Sequence, residues 1–196
     1  SLVGPPGHLA LGPRGMESFQ VSAETTQALG ELARSCRTTV STVLQAAWAQ
    51  LLMWLTGQDD VAFGTAVSGR PTALAGAESM VGLLINTVPV RATIGAETTI
   101  ADLLHQLQSA YTKTLDHQHL ALNEIHHVTG HDHLFDTMFV YDNYPIVTAA
   151  ISAVDDLNIE GFTSREYNHY PLSVQAMPGQ ELGLRVEFDT DVFTAA

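Results

Sequence analysis

The stretch Val81-Gly82-Leu83-Leu84-Ile85-Asn86-Thr87-Val88-Pro89-Val90-Arg91 decides how the chain is read. Its apolar side chains occupy both parities of a two-residue repeat, which predicts a strand buried on both faces. Asn86 interrupts the run with two donors and an acceptor, each costly to bury unless it meets a partner or a ligand. Two readings stand: an Asn that stitches a turn to a core strand, and an Asn that binds something. Pro89 cannot donate to a ladder, so pairing on one side should stop there, near an edge or a strand end.

Just before this stretch, residues 61–67 alternate with small side chains and predict another strand. The loop 68–80 joins the two, opening with Ser68-Gly69-Arg70-Pro71. Gly69 frees the backbone and Pro71 holds Arg70 extended, which gives a five-donor guanidinium a defined place. Arg70 either bonds the carbonyls of its own loop or touches a substrate. Further upstream, Ser22 is placed to cap a helix with Ala28, Leu29, Leu32, Ala33 and Cys36 at helical spacing. Ser41 is read as the cap of a stronger helix, with Val43, Leu44, Ala47, Trp48, Leu51, Leu52 and Leu55 as its stripe and Gly57 as its stop. Trp48 and Trp54, at helical spacing, read as packing.

Downstream, Thr98 or Thr99 caps a third helix carrying Ile100, Leu103, Leu104, Leu107 and Tyr111. A shorter helix carries Leu122, Ile125 and Val128. Residues 134–144 read as a strand closed by Pro145, and residues 170–176 and 182–188 as a hairpin around Pro178-Gly179. Residues 1–15 hold three prolines and four glycines, so residues 1–18 are read as a linker or extended arm before a domain over 19–196.

The 196 residues are 45% hydrophobic, enough for one domain with a sizeable core. With 8 basic against 21 acidic residues the formal charge is −13, which repels nucleic acid and anionic membrane surfaces. Cys36 is the single cysteine, so there is no internal disulfide and no multi-cysteine zinc site. On its buried helix face it reads as an inert structural thiol, and it fits a reducing cytoplasm. No signal peptide or membrane-spanning apolar run is expected. The chain opens without methionine and stops soon after a strand, so it is expected to be part of something larger.

Seven of the nine histidines lie between His105 and His133. His127 and His131 are four apart, but Gly130 falls between them at a helix end, and Glu124 and Asp132 are the only acids nearby. Solvent-facing histidines are expected, with no metal site. His126-His127-Val128-Thr129-Gly130-His131-Asp132 superficially matches the acyltransferase signature His-His-x-x-x-Asp-Gly, yet His131 and Asp132 stand where Asp and Gly belong. His127 is therefore rejected as a base. There is no Gly-x-Ser-x-Gly elbow, dinucleotide turn or P-loop, and no catalytic residue is assigned.

The 81–91 stretch resembles the fifth core motif of nonribosomal peptide synthetase condensation domains, Ile/Val-Gly-x-Phe-Val/Ile-Asn-Thr-x-x-x-Arg. Val81, Gly82, Asn86, Thr87 and Arg91 match, while Leu84 replaces Phe. Asp116-His117-Gln118-His119-Leu120 resembles the sixth motif through His117 and Gln118. Residues 134–145, ending Tyr141-Asp142-Asn143-Tyr144-Pro145, look like the strand and turn after the seventh motif, without its Arg-rich head. Val67-Ser68-Gly69-Arg70-Pro71 and Asn168-His169-Tyr170-Pro171-Leu172 also match strings of that family.

The resemblance implies an α/β fold, an α+β sandwich similar to a chloramphenicol acetyltransferase lobe, with a mixed central sheet backed by helices. It implies the carboxy-terminal lobe alone, without the amino-terminal lobe, its His-His-x-x-x-Asp-Gly site or a final helix. It implies Ser68, Gly69, Arg70, Asn86, Thr87, Arg91, His117, Gln118, Tyr141, Asn143 and Tyr144 as residues of a substrate tunnel or of its structural frame. The implied parent joins acyl and amino groups borne on the 4′-phosphopantetheine arms of donor and acceptor carrier proteins, beside an adenylation domain, with no cofactor bound by the lobe. A loop at 68–80 would cross the floor between lobes, and a latch within 158–171 would reach the other lobe. A condensation-like binding module that recruits carrier proteins or tailoring enzymes, and an epimerisation domain, are the alternatives.

Overall fold

The computed structural model describes residues 13–70, 74–131, 133–142 and 168–193. In chain order these form β1 (Arg14–Val21), α1 (Ala23–Ser35), α2 (Val40–Thr56), β2 (Asp60–Val67), β3 (Asn86–Thr93), α3 (Ile100–Thr114), α4 (Leu122–Thr129), β4 (Thr137–Tyr141), β5 (Leu172–Met177) and β6 (Leu182–Asp189). The strands make one six-stranded sheet in the order β1-β6-β5-β4-β2-β3. It is mixed: β2 with β4 and β4 with β5 run parallel, while the β1–β6, β5–β6 and β2–β3 pairs are antiparallel. The expected mixed sheet backed by helices is therefore present.

The first three helices start where small hydroxyl side chains satisfy the first free N–H groups. Ser22 Oγ accepts from Thr25 N at 3.3 Å, and Thr99 forms a reciprocal capping box with Asp102. The bonds from Thr99 also hold the Asp102 carboxyl below its ordinary pKa. The second helix departs from the sequence reading. Its cap is Thr39, whose Oγ1 accepts from Thr42 N at 3.1 Å, so Ser41 lies inside the first turn. Gly57 ends that helix in the left-handed region at φ 66°, as expected.

One face of the sheet carries the core. Val61 and Phe63 of β2, Ala92 of β3, Phe139 of β4, Val174 and Ala176 of β5 and Phe188 of β6 pack with Ala33, Val43, Trp48, Leu52, Leu103, Leu104 and Leu107 of the helices. Phe63 and Phe139 are fully enclosed, so truncating either to alanine would cost about 3–5 kcal/mol. Cys36 is partly buried against this core. The predicted stripes are wider than the faces actually covered. Leu51, Leu55, Ile100, Tyr111 and Val128 are exposed, and Trp54, read as packing, is 70% exposed.

The deciding stretch is strand only in its second half. β3 begins at Asn86, and Val81 and Leu83 stand free at 104% and 92% exposure. Pairing explains the boundary. β3 runs beside β2 from Val67 opposite Asn86 to Asp60 opposite Thr93, and β2 ends at Val67, so among the described residues those before Asn86 have no strand beside them. Pro89 sits on the sheet's outer strand, where a missing donor costs nothing, as its chemistry requires. At the other end of the chain, β1 begins at Arg14 and takes the last residues of the expected arm into the sheet.

Candidate functional site

β2, β4 and β5 point the same way, and most of the residues singled out from the sequence gather at their carboxyl end. Ser68, Gly69 and Arg70 leave β2 there, Asn86 and Thr87 enter β3 beside Val67 and Ala66, and Tyr141 closes β4. The loop after α3 is tied to the same place by Asn86, whose Nδ2 donates to Gln118 O at 2.9 Å and to Leu120 O at 2.6 Å. The Asn86 Oδ1 accepts from Thr87 N at 2.9 Å. All the hydrogen-bonding groups of Asn86 are thus engaged by main chain, which makes it a clasp between two loops.

Gln118 is buried at 6% exposure, and its Nε2 has no hydrogen-bond partner among the described residues. His117 is exposed and takes part through its carbonyl, which accepts from Leu120 N at 3.0 Å. Gly69 adopts φ 60°, and a Cβ there would overlap the Leu84 carbonyl oxygen, so only glycine fits where the exit from β2 crosses the approach to β3. Arg70 donates from Nη1 to Ala77 O and, at 3.1 Å, to Met80 O, which closes the loop between. Of the two sequence readings for Arg70, the loop-carbonyl bonds are the one formed.

Arg91 lies apart, at the opposite end of the sheet. Its Nε donates to Asp60 Oδ1 at 2.8 Å and its Nη2 to Asp60 Oδ2 at 2.5 Å, a bidentate pair at the surface. The hydrogen bond and the charge of Arg91 lower the Asp60 pKa, and Asp60 raises that of Arg91. Asn143 and Tyr144 lie outside the described residues, as does nearly all of the expected latch.

Sequence reading missed a polar chain on the face of the sheet away from the core. Gln175 Nε2 donates to Asp142 Oδ2 at 2.5 Å, and Arg185 Nη1 donates to Gln175 Oε1 at 3.3 Å. The signal available was parity: Gln175 and Arg185 are polar residues that alternate with core positions on two hairpin strands. On the core face, Tyr141 is half-buried, and desolvation raises the pKa of its hydroxyl, keeping it protonated.

The histidine run does not converge. His126 and His127 occupy the last turn of α4, which Gly130 ends at φ 68°. Among the described residues no group of three or more His, Cys, Asp or Glu is arranged to hold a metal ion. No helix among them is long and apolar enough to cross a membrane.

Residues 14–196 match the family model described as Condensation domain. The chain is 41% identical over 174 residues to "Chondramide synthase cmdD" of Chondromyces crocatus, covering 87% of this chain and 4% of that protein. It is 36% identical over 183 residues to "Surfactin synthase subunit 3" of Bacillus subtilis (strain 168), covering 91% of this chain and 14% of that one. The chain thus spans a small part of these relatives. In fold it is similar to the first condensation domain of the CDA synthetase, with TM-score 0.74 at 20% identity over 100% of this chain and 43% of that one. It is also similar to holo-AB3403, a four-domain nonribosomal peptide synthetase, with TM-score 0.79 at 18% identity over 93% of this chain and 15% of that one.

Proposed function

Because this chain belongs to the condensation-domain family, we propose that it works as the carboxy-terminal lobe of a condensation domain in a nonribosomal peptide synthetase. The observation that carries the reading is the convergence of Ser68, Gly69, Arg70, Asn86, Thr87, Gln118 and Tyr141 at one end of the sheet. In the reaction, an amine on one carrier-bound arm attacks the thioester carbonyl on another. A C–N bond forms, the C–S bond breaks, and the proton lost by the amine accounts for the thiol released.

The lobe's share of this is positional. Two arms must meet end to end with water kept out, and correct placement lowers the barrier by reducing the entropy lost on reaction. Among the described residues of the cluster there is no paired nucleophile and base. The proton-handling groups are assigned to an amino-terminal lobe bearing His-His-x-x-x-Asp-Gly. The lobe holds no cofactor of its own; donor and acceptor carrier proteins bring 4′-phosphopantetheine arms, with an adenylation domain adjacent, in the cytoplasm. Exposed Met80, Val81, Leu83 and Ile85 supply an apolar surface for the other lobe. Asn86-Thr87-Val88-Pro89 favours condensation over epimerisation.

Sedimentation of this chain with a separately produced amino-terminal lobe tests the assembly. A one-to-one complex, weakened by Val81→Ser with Leu83→Ser, is expected. Failure to associate, with retention of carrier-protein binding by this chain alone, would instead indicate a recruiting module.

A further inference from the structure

We propose that Arg185 is a positioning residue for the cluster at the carboxyl end of the sheet, acting through the Gln175 amide on Asp142 and so on Tyr141; this rests on the condensation reading above. Arg185 stands opposite Gln175 in the β5–β6 pair, and Gln175 stands opposite Val140 in the β4–β5 pair. Asp142 is two residues beyond Val140, so all three polar side chains share the face turned away from the core. Each is half-buried.

The donors and acceptors allow one order. A guanidinium only donates and a carboxylate only accepts, whereas a glutamine amide does both. Gln175 Oε1 accepts from Arg185 Nη1 at 3.3 Å, while Gln175 Nε2 donates to Asp142 Oδ2 at 2.5 Å. Turned over, the amide would set its NH2 against the guanidinium and its oxygen against the carboxylate. The Arg185 charge therefore fixes which end of Gln175 faces Asp142. Arg185 is not committed elsewhere. The ion pair formed among the described residues is Arg91 with Asp60, and the enclosed Arg185 Nε has no hydrogen-bond partner among them. Ser18, opposite Arg185 on β1, is exposed and neutral.

Asp142 is thereby held to β5 twice. Its N–H donates to Ala176 O at 2.9 Å, and its carboxylate takes the Gln175 amide. The pairing of β4 passes this hold on to Tyr141. Against β2 the described pairs are Gly64 with Met138 and Thr65 with Phe139, both short of Tyr141. Against β5 the ladder runs through Tyr141, opposite Ala176. Among the described residues the end of β4 is thus placed from the β5 side, and the relay is the side-chain part of that placement. Hydrogen bonds to charged groups are the stronger kind, and a site that works by placement depends on such supporting bonds.

The test is amide hydrogen exchange of this 15N-labelled chain, read at residues 141 and 142, with the core amides of Phe63 and Phe139 reporting that each variant is folded. Gln175→Glu keeps a partner for Arg185 but sets a carboxylate against Asp142, and should speed exchange at 142 about tenfold. Adding Asp142→Asn again sets a donor against an acceptor, and should return exchange to the parental rate. Arg185→Met, which keeps the stem and removes the donors, should speed it severalfold. A role in packing alone predicts parental exchange in Arg185→Met and additive losses in the double variant; either result in a folded chain would overturn the relay. Where Gln175→Glu unfolds, a folded double variant supports the relay and an unfolded one overturns it. Peptide synthesis with the amino-terminal lobe separates this inference from the condensation reading. If the parent pair makes product, Gln175→Glu should lower kcat with little change in KM, and the double variant should recover it; an unchanged kcat would overturn the positioning role. No product from the parent pair, with the exchange pattern as expected, would count against the condensation reading and leave the relay standing.

Discussion

Asn86 holds Gln118 by its main chain: the Asn86 carboxamide donates to the carbonyl of Gln118 at 2.9 Å, 32 positions further along, and to that of Leu120 two residues beyond. Asn86→Ala deletes both donors and leaves two carbonyls unpaired, so it should destabilise the chain by about 2–3 kcal/mol in urea unfolding. Asn86→Asp should be worse at neutral pH, because a carboxylate would face two carbonyl oxygens. Those oxygens favour its protonated form and raise its folded-state pKa. The variant should therefore be most stable in acid and lose stability as pH rises from the unfolded pKa toward the folded one. A parallel pH response in Asn86→Ala would contradict this.

Gly69 is the second fixed point of the cluster. A methyl group there overlaps the Leu84 carbonyl and forces a side chain into φ 60°. Gly69→Ala should cost about 3 kcal/mol, combining backbone strain with displacement of the approach to β3. Equal unfolding midpoints for Gly69→Ala and the parent would rule out this crossing.

Arg70 bonds two carbonyls of its own loop, Ala77 O and Met80 O. Arg70→Ala should accelerate hydrogen exchange at residues 77–80 while leaving core amides of β2 protected. Arg70→Lys should restore little of this protection, since both bonds leave the single nitrogen Nη1 at the end of the guanidinium, which the shorter lysine stem does not reach with its ammonium. Full protection in Arg70→Lys would show that charge alone holds the loop.

Arg91 and Asp60 form a surface pair, with side chains 73% and 48% exposed, so their bond is screened by water and salt. The folded-state pKa of Asp60 is lowered chiefly by its hydrogen bond from Arg91. The pair's stabilisation is therefore present above the unfolded carboxylate pKa and fades as pH falls through the lowered folded value. The stability difference between the parent and Arg91→Ala should shrink on acidification and in high salt. A difference independent of both would mean that Arg91 acts through packing.

Much of the fold could be read locally. Ser22 and Thr99 announced their helices because capping is a contest among near neighbours, and the hairpin of β5 and β6 followed from alternation around Pro178-Gly179. Errors arose where the outcome depends on a distant partner. Val81 to Ile85 carry strand-like side chains, but whether they join a sheet depends on β2, which ends at Val67. Trp54 repeats at helical spacing with Trp48, yet only Trp48 meets the sheet, because a helix packs one face at a time. At the site, motif spacing selected Asn86 and Gln118 as separate candidates. That one holds the other is a long-range contact that no local pattern encodes, and the same is true of Arg185 reaching Asp142 through Gln175.

The central claim is that this chain is half of a peptide-bond-forming site, and intact-mass analysis of carrier proteins tests it directly. Donor and acceptor carriers loaded with aminoacyl thioesters are incubated with this chain, with the amino-terminal lobe, and with both together. The account predicts dipeptidyl thioester on the acceptor carrier only when both lobes are present, and loss of that product with Asn86→Ala. Product from this chain alone, or none from a folded and associated pair, would contradict it.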